Sequence, residues 1–454
     1  MAMVSTNPAT GRVLETFETW SKETTAQVLD EVREGFLSWR ATPLAARTEA
    51  LRAAASLLKA EAQVLARIMA EEMGKPVKQG VGEAEKCALV CEFYADNAPH
   101  FLAPEPAEGG GLRAYLSFEP LGTILAVMPW NFPLWQVFRL ASPCLAAGNA
   151  VVLKHASNVP RCALAIEDIF HRAGVPKNVF RSLLIGSRQV EAVIQHKSVA
   201  AVSLTGSAPA GASVAAAAGR ALKPSLLELG GSDPFVVLAD ADFEAAAAAG
   251  SLARCLNAGQ TCIAAKRFIV EDPVYEPFLE LLASKVRALK VGDPLDPSTE
   301  VGPLARPDLV DEIQAQVDAS LAAGARLVLG GKPLKGPGCF YPPTLLADVT
   351  PDMAVFREET FGPVAALIRA RDAEHALELA NDTEFGLGAS IWTRDLARGE
   401  ALARRIEAGS VFINGMVKSD PRLPFGGIKA SGYGRELSYF GIRQFVNVKT
   451  VWVG

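Results

Sequence analysis

The 454-residue chain lacks any long run of one charge sign, and 45 lysines and arginines against 50 acids leave a formal net charge of -5. That balance offers no electrostatic footprint for nucleic acid or an anionic membrane. The opening stretch MAMVSTNPATGRVLETF has neither a basic n-region nor an apolar h-region, so no signal peptide is expected. The longest apolar stretch, near 123–138, is broken by Pro129, Asn131 and Pro133 and is unsuited to spanning a bilayer. The 7 cysteines (87, 91, 144, 162, 255, 262 and 339) are odd in number, scattered and without a C-x-x-C pair. Cys87 and Cys91 share a helix face, but the 5 histidines supply no second half for a zinc site. No metal is therefore expected, and reduced thiols in a cytoplasmic protein are the simplest account. No short-period repeat, linker or low-complexity block is evident either.

What remains is the composition of a globular protein, 50% hydrophobic and 21% charged, with enough length for two or three domains. Residues 43–75 predict two consecutive amphipathic helices ended by Gly74 and Pro76, and 81–100 a further helical region. Residues 114–122 alternate and read as an exposed strand. From there short apolar strands alternate with helices: 123–128, 150–154, 180–186, 201–206 and 225–229, with a helix at 160–174 opened by Pro160. A second series begins at 234–238 and runs through 266–270, 325–331, 362–368, 386–392 and 409–415. This grammar implies an α/β fold with parallel sheets covered on both faces, which bind ligands beyond the carboxyl ends of their strands. The alternating tail 445–453 reads as a lone edge strand, and with 114–122 suggests an arm that pairs with another subunit.

Polar features collect where those strands end. In PWNFP (129–133) two prolines stiffen the backbone around the Asn131 amide. In LELGG (227–231) Glu228 is a carboxylate inside an apolar strand, costly unless partnered, followed by two glycines that permit close approach. LTGSAPAG (204–211) places Gly206 and Ser207 at a helix start able to receive a phosphate, although it is not G-x-G-x-x-G. EETFGP (358–363) sets paired acids and an aromatic before a Gly-Pro turn, and NAGQTC (257–262) puts Cys262 on a loop rather than a core stripe. Each alone is compatible with a turn, a charged surface loop or a packed cysteine. Together they suit attack of a thiolate on an aldehyde. Asn131 and the Cys262 N–H would stabilise the oxyanion, and Glu228 would activate the water that hydrolyses a thioester.

PWNFP, LTGS, LELGG, GQTC, EETFGP and PFGGIKASGYGRE, in this order, resemble the aldehyde dehydrogenase superfamily over essentially the whole chain, and most of all its bacterial succinate-semialdehyde dehydrogenases. The resemblance implies a Rossmann-like cofactor domain (1–108 and 123–228), an α/β catalytic domain (229–415) and a β oligomerisation arm (109–122 and 430–454). It implies Cys262 as nucleophile, Glu228 as general base and Asn131 as oxyanion donor. NAD or NADP would be held by Trp130, Lys154, Ser157, Gly206, Ser207, Leu229, Glu359 and Phe361. Strictly NAD-selective relatives often carry at position 157 a glutamate that would repel a 2′-phosphate; Ser157 gives no such repulsion, so NADP is admissible. His155 stands where most relatives have proline. Arg139 and Ser419 match residues that bind the distal carboxylate of a semialdehyde, while Leu256 departs from an arginine common there and Arg254 lies two residues earlier. The implied reaction is NAD(P)-dependent oxidation of succinic semialdehyde to succinate, or else of other ω-carboxy or aliphatic aldehydes. The enzyme would be a homodimer or homotetramer. Glu228 argues against transfer to coenzyme A, and the joint presence of Cys262, Glu228 and Asn131 against a purely structural protein.

Overall fold

In the computed structural model, which describes residues 2–454, most of the first hundred residues are helical. Lys22–Trp39 starts where the Ser21 hydroxyl accepts from the Thr24 N–H at 3.1 Å, and it buries Val28, Leu29, Val32, Phe36 and Trp39 at helical spacing. Leu44–Ala60 and Ala62–Met73 follow, the second ending at Gly74, whose φ of 80° suits only glycine at low cost. Val77–Phe101 then carries Glu83, Lys86, Cys87 and Cys91.

The first large sheet has the order Gly432–Tyr433, Ser225–Glu228, Val199–Thr205, Thr123–Met128, Ala150–His155, Phe180–Ser182, all parallel except the first pair. In chain order the path steps from Thr123–Met128 to one side, then returns to build the other. The crevice beyond Met128 and Thr205 is therefore the switch point at which such sheets take ligands. The second sheet places Asp233–Val237 between Ala265–Glu271 and Gly388–Trp392, and six of its seven strands are parallel. The Cys262 loop and the Glu359 loop lead into the amino ends of Ala265–Glu271 and Val364–Ala370.

Two expectations about strands need correction. The tail strand Val446–Val453 is not lone: it runs antiparallel to Arg113–Pro120, from Val446 opposite Pro120 to Val453 opposite Arg113. The apolar run at 180–186 forms a strand only over Phe180–Ser182. The Cys87 and Cys91 thiols are buried in the helix core, and every described cysteine is free. Among the described residues no cluster of histidine, cysteine and acids could hold a metal, and no helix is long and apolar enough to cross a membrane.

Candidate active site

The PWNFP loop joins Thr123–Met128 to helix Trp135–Ala147, and its conformation is fixed from below. The helix begins without a side-chain cap of its own. Instead one Glu83 oxygen accepts the N–H groups of Leu134 and Trp135, both at 2.9 Å, and Glu83 also pairs with the fully buried Lys75. The Lys75 ammonium lies 3.7 Å from the Phe132 ring centre. His155 supports the loop's other side. Its Nδ1 accepts from the Ala156 N–H at 2.9 Å, which leaves the proton on Nε2 to donate to the Pro133 carbonyl at 2.9 Å. Burial pushes the imidazole down to about 4, so the ring is neutral at pH 7. The histidine in place of proline is thus a strut.

The cysteine loop is bound to the same frame. Asn257, Ala258 and Gly259 are all left-handed, with φ of 54°, 53° and 74°. The two non-glycines cost about 1–2 kcal/mol each and persist only where contacts over-determine them. Those contacts are present. The Asn257 side chain donates to the Asn131 carbonyl at 2.7 Å, and its backbone N–H to Gln79 at 2.8 Å. Buried Gln260 donates to the Asn257 carbonyl and accepts from the Ala305 N–H. Buried Arg254 donates to the Gly259 carbonyl at 2.7 Å. Lys266 donates to the carbonyls of Thr261 at 3.1 Å and Cys262 at 2.7 Å. Gly259 cannot be replaced, because a Cβ there would sit 2.4 Å from Gly362.

Cys262 lines two cavities at once. One is a cleft of about 510 Å³ at the switch point, walled by Trp130, Asn131, Gly206, Ser207, Leu229, Glu359 and Phe361 among others. The second is a narrower cavity of about 100 Å³, whose wall includes Lys86, Trp135, Arg139, Leu256, Lys418, Ser419 and Phe425. Burial pushes the Cys262 thiol up to about 11, against the pull of Lys266 and Arg139. The Asn131 amide donates to the Gln260 carbonyl at 3.0 Å, and its second N–H is left for another acceptor.

Glu228 is brought near but does not line either cavity. Neither carboxylate oxygen has a hydrogen-bond partner, and one lies where a Cβ on Gly426 would approach within 2.9 Å. Burial first, and the neighbouring Glu436 second, raise its pKa well above the carboxylate range. Glu359 sits at the cleft with one oxygen accepting from the Gly231 N–H at 3.0 Å and facing Lys266 at 3.4 Å. Its other oxygen lies where Gly230 has no Cβ. Trp130 and Phe361 meet edge to face at 5.8 Å.

Several groups on this side are unengaged. The Ser207 hydroxyl does not cap helix Ala208–Arg220, which leaves the first N–H groups of that helix free for an anion. Gly211 lets the same helix close on Leu229. Lys154, at the end of the adjacent strand, has no polar partner among the described residues, and burial lowers its pKa. Ser157 is exposed in a turn three residues further on, and neither it nor Lys154 lines the cleft wall itself. This donor set fits the diphosphate and ribose groups of a dinucleotide.

Arg139 lines the narrow cavity, but its guanidinium is paired with buried Glu436 and lies 4.8 Å from the Phe425 ring centre. Arg254 faces neither cavity and serves the cysteine loop, so it does not stand in for Leu256, whose side chain makes that wall apolar. Sequence reasoning missed Lys86, which donates to Ser419 Oγ at 2.8 Å, and the loop-holding set Gln79, Asn257, Gln260 and Lys266. Lys86 follows Glu83 by three residues and flanks the buried stripe at 83, 87, 90 and 94, the only hint its position gives.

The family profile described as the aldehyde dehydrogenase family matches residues 1–451. The chain is 52% identical over 458 residues to a succinate-semialdehyde dehydrogenase (NADP+) of Mycobacterium avium strain 104, covering 100% of this chain and 97% of that one. It is 52% identical over 453 residues, with 100% of both chains covered, to a probable succinate-semialdehyde dehydrogenase (NADP+) of Synechocystis. Among solved structures, the succinic semialdehyde dehydrogenase of Streptococcus pyogenes in complex with NADP+ superposes with a TM-score of 0.97 at 40% identity over 100% of both chains.

Proposed function

The chain belongs to the aldehyde dehydrogenase family, and from that premise we propose that it oxidises succinic semialdehyde to succinate with NADP. The observation that carries this reading is the position of Cys262, shared by a large cleft with unengaged phosphate donors and a narrow cavity holding cations. Full-length relatives named for this substrate and cofactor point the same way.

In this reading the aldehyde enters from the narrow cavity and Cys262 Sγ adds to its carbonyl carbon. Burial holds Cys262 as the thiol, so its proton passes to solvent water as Sγ adds. The resulting oxyanion is met by the free Asn131 N–H and the Cys262 backbone N–H, both on loops that are braced before reaction begins. NADP, when bound, supplies the hydride acceptor. Lys154 and Ser157 hold its adenosine ribose and phosphate, and Ser207 with the helix behind it holds the diphosphate. Glu359 holds the second ribose, and Trp130, Gly206, Leu229 and Phe361 shape the channel. Oxidation leaves the acyl group on Sγ as a thioester. Glu228 then takes a proton from the attacking water and the carboxylic acid leaves. Because neither Glu228 oxygen is hydrogen-bonded, turning toward the thiol breaks no bond of its own. Ser419 and the Arg139 wall orient the substrate's far end.

The cofactor, catalytic and arm divisions are kept as proposed above; the three larger sheets follow them except that Gly432–Tyr433 pairs within the cofactor sheet and Glu105–Pro106 within the arm sheet. The arm sheet leaves one edge of Val446–Val453 unpaired in this chain and exposes Val448 and Trp452, which supports pairing into a homodimer or homotetramer. A cytoplasmic location is part of the same proposal.

Steady-state rates of nicotinamide reduction with succinic semialdehyde or butyraldehyde, each with NADP or NAD, test the assignment. The highest kcat/KM is expected for succinic semialdehyde with NADP. Equal or better turnover of butyraldehyde would keep the dehydrogenase chemistry and remove the substrate assignment.

A further inference from the structure

The narrow cavity carries three cationic side chains, Lys86, Arg139 and Lys418, and they differ in what already balances them. Arg139 is buried against Glu436, also buried, so their charges compensate one another before any substrate arrives. Lys418 is exposed at the protein surface, where water screens it. Lys86 has no carboxylate within ion-pair distance among the described residues. Glu83, on its own helix, is engaged by Lys75 and two backbone N–H groups. Asp420, next to Ser419 in the chain, is held by Arg422 at 2.7 Å.

We propose that the anionic end of the substrate is received by Lys86 together with the Ser419 hydroxyl, with Arg139 acting as a positioning residue whose charge is taken up by Glu436.

The geometry supplies the donors. An ammonium has three N–H bonds; one goes to Ser419 Oγ at 2.8 Å, and the Trp135 ring centre lies 4.1 Å away. Because Ser419 accepts from Lys86, its own O–H is free to donate. A carboxylate seated here takes one charge-assisted bond from Lys86 and one from Ser419. The burial that penalises the lone ammonium, and pushes it down to about 8, is relieved when a counter-charge arrives. The apolar stem of Lys86 and the Trp135 face, with Leu256, suit the methylene segment between carboxylate and aldehyde. Helix Val77–Phe101 also carries Glu83, so one element fixes both the entry to helix Trp135–Ala147 and the anion receptor.

This inference rests on the semialdehyde reading, and its test separates the two. Kinetics with succinic semialdehyde and butyraldehyde are measured for the parent, Lys86→Met, Lys86→Arg and Ser419→Ala, with butyrate as a competitive inhibitor of butyraldehyde oxidation. Lys86→Met is expected to lower the semialdehyde-to-butyraldehyde ratio of kcat/KM roughly ten- to hundredfold, chiefly through KM. Lys86→Arg should restore part of it, and Ser419→Ala should lower it by a smaller factor. An unchanged ratio in Lys86→Met overturns the proposal while the parent's preference preserves the substrate reading. If Lys86→Met does not fold, an unchanged ratio in both Lys86→Arg and Ser419→Ala overturns it instead. If the parent prefers neither aldehyde, the substrate reading fails. The receptor is then judged by butyrate alone, whose inhibition the variants must weaken if the proposal stands.

Discussion

Beneath the PWNFP loop and beside Cys262 lie two regions with similar buried charges and opposite bonding. Below the loop, Glu83 is 4% exposed and fully engaged, with Lys75 on one oxygen and two backbone N–H groups on the other. Beside the cysteine, Glu228 is 2% exposed and has no hydrogen bond at all, while Lys86 has a hydroxyl but no counter-ion. A folded chain leaves buried charge uncompensated only at a cost. The first region spends its charges on holding backbone. The second keeps them available for a proton, a water or a carboxylate. Unpartnered buried charge therefore marks the working side of this site, and paired charge its foundation.

The largest expected effect breaks the working side alone. Glu228→Gln keeps the shape and removes the base; kcat should fall about 10²–10⁴-fold, with a melting temperature no lower than the parent's at pH 7. The raised Glu228 pKa and a thiol near 11 give the parent a rate that climbs as pH rises, and the variant should lose the Glu228 part of that limb. The matching change in the foundation behaves differently. Glu83→Gln leaves Lys75 buried without a counter-charge and should cost about 3–5 kcal/mol by denaturant unfolding, part of it recovered in Glu83→Gln/Lys75→Met. Next in size is a pH effect at Lys86. Arg139, Glu83, Cys87 and Asp420 act on this ammonium, and Lys418 shares its cavity. As pH rises through about 8 it loses its charge, so KM for succinic semialdehyde should climb severalfold relative to butyraldehyde. The smallest effect belongs to His155. Its depressed pKa means that stability present above 6.5 is lost as pH falls toward about 4. Thermal melts of His155→Leu should show a shallower acid limb than those of the parent.

Much of this comparison could not be read along the chain. The strand Thr123–Met128 and the loop after it were legible because an apolar run ends in two prolines, and Cys262 because its loop and the other motifs recur in a recognised order. Helix Lys22–Trp39, hairpin Ala2–Thr6 with Val13–Glu18, and strand Thr344–Ala347 went unmarked. The hairpin is mostly exposed and the strand is only four residues long, so neither carries a strong periodic signal. The tail strand alternates plainly, yet its partner lies more than 300 residues earlier, and no local pattern records that pairing. The same distance hid the state of the charges. Arg139 fits a carboxylate receptor by its place after Asn131, but its pairing with Glu436 depends on how distant segments meet. Lys86 looks like an ordinary helix-surface lysine until the segment at 416–419 closes over it. Glu83 and Glu228 are both buried glutamates, and only the fold separates holder from base.

The most direct test of the central claim is a single-turnover experiment on Glu228→Gln with NADP and succinic semialdehyde, followed by mass analysis of the Cys262 peptide. A burst of about one reduced NADP per active site, slow turnover afterwards and a succinyl group on Cys262 are the predicted result. Steady turnover at the parent's rate with an unmodified Cys262 would contradict the account, placing the base elsewhere and Glu228 with Glu83 among the structural carboxylates.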